Sequence, residues 1–126
     1  MSDMNTPLAK VRGLGSAKTG THHWWMQRVS AIANIPLVIW FVISMLGHVR
    51  SDFATISSWM QVPFVAVLMS LLVANMAYHM NLGLQIAIED YAHGRARVVS
   101  MLVLDFGTVV LGVLGIFSIL KISIGG

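Results

Sequence analysis

The chain contains no cysteine. Disulfides, thiolate-held iron–sulfur clusters and thiol nucleophiles are excluded together. Charge is nearly as scarce, at 10% of 126 residues against 56% hydrophobic. Soluble domains carry about 25% charged residues, so this composition is too apolar for water and fits a small membrane protein. No repeat or low-complexity tract appears, and the length leaves no room for a separate globular domain. Any large catalytic machinery is therefore expected on other chains. The net charge of +3 is not a nucleic-acid signature, because the basic residues flank the apolar runs instead of lining one helix face.

Three long apolar runs are present, from about Val29 to Val49, Pro63 to Ile88 and Val98 to Leu120. Each reaches the roughly 20 residues needed to cross a bilayer as a helix. The expected fold is an all-α membrane protein with three transmembrane helices, at about 29–49, 63–90 and 98–120. Residues 1–20, rich in Ser, Thr, Gly and Pro, are expected to form a flexible cytoplasmic tail, and 21–126 the membrane domain. Lys10, Arg12, Lys18, Arg28, Arg95 and Arg97 fall on one side of these spans, and Arg50 and Lys121 on the other. The positive-inside rule then puts the N-terminus in the cytoplasm and the C-terminus in the periplasm. Met1 to Thr21 lacks the apolar core of a secretory signal, and it has too little arginine for a good mitochondrial transit peptide. A bacterial inner membrane is the simpler location, with the mitochondrial inner membrane as the alternative.

Near the membrane boundaries, His22-His23-Trp24-Trp25 and Trp59 have the character of interfacial anchors. The alternative for the first group is contact with a partner or ligand. Arg28 enters the first span and either snorkels to the interface or pairs with an anionic group there. Pro36 interrupts the same span and is compatible with a kink. His48, beside Arg50 and Asp52, is expected at the opposite interface. Asp105 lies about two turns inside the third span and should face protein, either in an interhelical bond or in proton entry. Gly107, Gly112 and Gly115 would permit close helix approach.

The second span carries the most chemistry. An ionisable group inside such a segment needs a partner, a cavity or a cofactor, and His79 is one. A satisfied structural histidine, a proton-path residue and a haem axial ligand are all open readings. Asn75 and Gly83 share its face, the amide as a hydrogen-bonding group and the glycine as space for a flat macrocycle. Eleven residues on, Asp90 returns to nearly the same face, about 16 Å along the axis. Asp90 and Tyr91 end the span at the cytoplasmic interface. A phenol there can donate to a quinone carbonyl, with the carboxylate orienting it or relaying protons; alone, the pair equally fits ordinary interface chemistry. No other histidine lies at mid-depth, so a second axial ligand would have to come from another polypeptide.

In combination, His-x10-Asp-Tyr on the second of three spans and an arginine entering the first resemble the small hydrophobic membrane-anchor subunit of succinate dehydrogenase, respiratory complex II. The stretch Arg12-Gly-Leu-Gly-Ser-Ala-Lys-Thr-Gly-Thr-His-His-Trp-Trp-Met-Gln-Arg28 resembles the alphaproteobacterial form. The resemblance implies His79 as an axial ligand to haem b iron and Tyr91 as a ubiquinone contact, with Asp90 beside it. It also implies Arg28 near the haem propionates or quinone pocket. Implied partners are a larger cytochrome b anchor subunit supplying the second ligand, an iron–sulfur subunit and a flavoprotein subunit where succinate is oxidised. Rival readings are a fumarate reductase anchor, a cofactor-free structural membrane protein, and a proton or ion carrier using His79, Asp90 and Asp105.

Overall fold

The computed structural model describes residues 6–13 and 20–125, and within them five helices and no strand. These are α1 (Pro7–Arg12), α2 (Gly20–Gly47), α3 (Phe53–Met60), α4 (Pro63–Tyr91) and α5 (Gly94–Gly125). Of the expected tail, residues 1–5 and 14–19 lie outside the described residues, and Lys18 with them. Helices α2, α4 and α5 are each long and apolar enough to cross a membrane, as the three apolar runs require. At 1.5 Å per residue, 28 to 32 residues extend roughly 42–48 Å, beyond a hydrocarbon core of about 30 Å. Helix α2 accordingly starts nine positions before Val29 and carries His22 to Arg28 as helix. Hydropathy marks the lipid-crossing part, whereas backbone hydrogen bonding continues into the headgroup layer.

The helix ends follow local chemistry. Asp52 is extended (φ −80°, ψ 172°) and accepts from the Thr55 amide at 2.9 Å, capping α3. The same bonds from Thr55 hold the Asp52 carboxyl below its ordinary range. Residues Ser51 to Gln61, between the first two spans, thus contain a two-turn helix. Pro63 occupies the first turn of α4, where its missing N–H costs nothing. At the other end Ala92 is extended, and Gly94 takes φ +60°, a left-handed conformation that reverses the chain into α5. Glu89 and Arg97 meet across this turn at 3.9 Å.

Helix α4 packs against both α2 and α5, and those two do not pack on each other. Paired residues run in opposite order along each seam, so adjacent spans are antiparallel. Between α4 and α5 the approach is close: a Cβ on Gly115 would lie 2.9 Å from Val73 Cγ1, and one on Gly112 would lie 4.0 Å from Ala77 Cβ. Small residues are what membrane helices use in place of a hydrophobic drive. Gly107 has nothing within 4 Å of its would-be Cβ, so it belongs to no seam. The buried apolar set is small, comprising Val65, Ala66, Leu72, Leu82 and Ile119, while many large apolar side chains face outward. That distribution suits a chain whose solvent is lipid. At the end remote from Arg28, α3 packs against α4 and α5 and sets Trp59 against Trp40, with ring centroids 6.0 Å apart.

Candidate functional site

His79 sits mid-way along α4 and is half-buried against α2. Its Nδ1 lies 2.8 Å from Ser30 Oγ, and Ser30 Oγ donates to the Gln27 carbonyl at 3.0 Å. One turn earlier, Asn75 Nδ2 donates to the Ser30 carbonyl at 2.9 Å. The Asn75 amide, expected as a hydrogen-bonding group, thus bonds the adjacent helix. Gly83 differs from its expected role. Its would-be Cβ is 3.7 Å from Gln27 Nε2, an ordinary contact, so its face meets a side chain of α2. The glycine serves helix approach, because the face it shares with His79 is the face turned to α2.

A cavity of about 470 Å³ opens beside the histidine, lined by His79 with Asn34 of α2, Val73, Met76, Ala77 and Met80 of α4, and Leu111 and Gly112 of α5. Its walls are almost wholly apolar. It exists because α2 and α5 flank α4 without closing over it. Asn34 Oδ1, at its edge, is buried and has no hydrogen-bond partner among the described residues. Helix α2 presents a polar stripe along this seam, His23, Gln27, Ser30 and Asn34, at helical spacing of four, three and four. His23 Nε2 and Gln27 Oε1 are likewise buried and unpaired among the described residues. Gln27 was passed over in the sequence, although this spacing was there to be read.

The remaining candidates are spread out. Tyr91 is 87% exposed at the last position of α4, with Asp90 exposed beside it. Twelve residues separate Tyr91 from His79, roughly 18 Å of helix. Arg28 is exposed, with its guanidinium carbon 5.3 Å from the Trp24 ring centroid, a cation–π distance. His48 lies at the other end of the bundle, as expected. Its Nδ1 donates to the Ser44 carbonyl at 2.7 Å, and its ring is 4.6 Å from that of Trp59.

Asp105 was expected to face protein, and one carboxylate oxygen does so by accepting from Asn81 Nδ2 at 3.1 Å. The residue as a whole is exposed on α5. Asn81 also donates to Thr108 Oγ1 at 3.1 Å and accepts from Gln85 Nε2 at 2.7 Å. This α4–α5 cluster lies across the helix from His79, so Asp105 does not join His79 and Asp90 in one relay. No group of three or more metal-ligating His, Cys, Asp or Glu side chains occurs among the described residues.

The model of the family described as succinate dehydrogenase/fumarate reductase transmembrane subunit matches residues 2–116. The succinate dehydrogenase hydrophobic membrane anchor subunit of Rickettsia bellii (strain RML369-C) is 34% identical over 89 residues, which is 71% of each chain. That of Rickettsia conorii is 34% identical over 90 residues, again 71% of each. The Paracoccus denitrificans subunit of the same description is 34% identical over 92 residues, 73% of this chain and 71% of its own. No solved structure matches the chain.

Proposed function

Since the chain belongs to the succinate dehydrogenase/fumarate reductase transmembrane-subunit family and is a multi-pass anchor of the bacterial inner membrane, we propose that it helps to bind haem b and ubiquinone. The observation that carries the haem reading is His79, half-buried at mid-span and lining an apolar cavity of about 470 Å³. The residues fit such a group: an imidazole is a normal axial ligand, and the walls around it are hydrocarbon. Held there, haem supplies a reversible one-electron store at iron.

His79 would be this chain's ligand to the haem. A second ligand would come from the larger cytochrome b anchor subunit, because this chain has no second histidine at that depth. Arg28, at the cytoplasmic end of α2, would pair with a propionate or border the quinone pocket. Tyr91 donates its hydroxyl proton in a hydrogen bond to a quinone carbonyl. Asp90 accepts protons from water and passes them toward the quinone, whose reduction to quinol consumes two protons with two electrons. The electrons arrive from the iron–sulfur subunit, which together with the flavoprotein subunit docks on the cytoplasmic face. The proposed topology keeps the N-terminus and the Asp90–Arg97 segment on that face.

The test is a reduced-minus-oxidised spectrum of the purified complex carrying His79→Ala or His48→Ala, at matched yield. Loss of the b-type bands is expected for the first and an unchanged signal for the second. A full haem signal in the His79 variant would overturn the assignment.

A further inference from the structure

Ser30 is 3% exposed and is the one buried polar residue among those described. Its hydroxyl has a single proton, for which the Gln27 carbonyl at 3.0 Å is an acceptor within the same helix. The same oxygen lies 2.8 Å from His79 Nδ1. A hydroxyl that donates to this carbonyl accepts in the second bond. In that arrangement the proton between Ser30 and His79 is the one on Nδ1, and the lone pair of the neutral ring falls on Nε2, as ligation of iron through Nε2 requires. Gln27 and Ser30 are one helical turn apart, so α2 itself supplies the acceptor that this arrangement needs. Asn75 ties the Ser30 carbonyl to α4 at 2.9 Å, which keeps the serine in register with the histidine.

We propose that Ser30 is a positioning residue for haem. It fixes His79 as the Nδ1–H tautomer, orients the ring, and sets how strongly Nε2 donates to iron. The inference rests on the haem reading above. A metal-bound histidine commonly gives its other N–H to an acceptor, which raises the basicity of the ligand. Here the acceptor is a neutral hydroxyl whose own proton is directed away from the ring. A more basic Nε2 favours ferric over ferrous iron and so lowers the haem potential. Removing the acceptor should raise it.

The experiment compares Ser30→Ala and Ser30→Thr in the assembled, detergent-purified complex, with His79→Ala alongside. The alanine removes only one oxygen, and the yield of assembled complex reports whether folding is kept. Haem content is measured together with a redox titration of the b-type absorption. In Ser30→Ala, haem content should stay near wild type. The potential should rise by up to about tenfold in the reduction equilibrium, where tenfold equals ~59 mV for one electron. Ser30→Thr keeps a hydroxyl and should restore the wild-type potential. A wild-type potential in Ser30→Ala would overturn the proposal. So would haem loss in both serine variants with the remaining haem unshifted, which is what a packing role alone predicts. If His79→Ala keeps its haem, the haem reading itself fails. If His79→Ala loses haem while Ser30→Ala is unshifted, only the role of Ser30 fails.

Discussion

Val73 of α4 and Gly115 of α5 are in such close approach that a Cβ on the glycine would stand 2.9 Å from Val73 Cγ1. No real Cβ packs that tightly, and valine has little χ1 freedom with which to yield. The α4–α5 seam therefore depends on an absent side chain, and the α5 wall of the His79 cavity depends on that seam.

Gly115→Val is expected to destabilise the α4–α5 pair by about 1–3 kcal/mol, the usual cost of overpacking. Gly112→Ala, whose Cβ would meet Ala77 at 4.0 Å, should be tolerated. Thermal inactivation of the purified complex, monitored by retention of subunits, separates the two. Equal stability in both variants would mean that the seam shifts freely.

Tyr91→Phe keeps the ring and its interfacial anchoring but deletes the hydroxyl. A lost neutral hydrogen bond is worth about 0.5–1.5 kcal/mol, so succinate-to-quinone turnover should fall severalfold. Reduction of a soluble artificial acceptor by succinate should hold, because that route avoids the membrane pocket. Haem content should also hold, with His79 roughly 18 Å away along α4. Wild-type quinone reduction by the phenylalanine variant would leave Tyr91 a membrane-interface residue only.

The three spans fix a parity. Since α5 alone separates them, reporters fused after Gly126 and within residues 94–97 should report opposite sides, the second cytoplasmic. The basis is six basic residues against two flanking the spans. Signals from the same side would mean that α5 does not cross.

The spans were legible because apolar runs of more than 20 residues have few alternatives to a helix in lipid. Helix α3 was not, since Phe53–Met60 is too short to register as a span, although the Asp52–Thr55 cap was already in the sequence as an acid three residues before a helical amide. His79 stood out by its depth alone. Its partner did not, because pairing Ser30 with His79 requires the register between α2 and α4, which no local pattern encodes. The same missing register explains Gly83. Spacing put it correctly on the histidine's face, but only the packed helices show Gln27 lying against that face. Asn81 and Gln85 were readable as a polar pair four apart inside an apolar run. Their convergence with Asp105 and Thr108 comes from the antiparallel return of α5.

The unequal contacts of α4 also impose an order of birth. The chain reaches the bilayer from its N-terminal end, so α2 is inserted before any helix that packs on it exists. During that interval its Ser30 hydroxyl is already satisfied within its own helix, by the Gln27 carbonyl, and can wait in lipid without a partner. His79 arrives later with α4 and finds an acceptor prepared for it. Helix α5 makes no contact with α2 and so adds nothing to this first pairing. The bonds that join Ser30 to His79 and Asn75 need only α2 and α4, whereas the apolar cavity gains its third wall with α5.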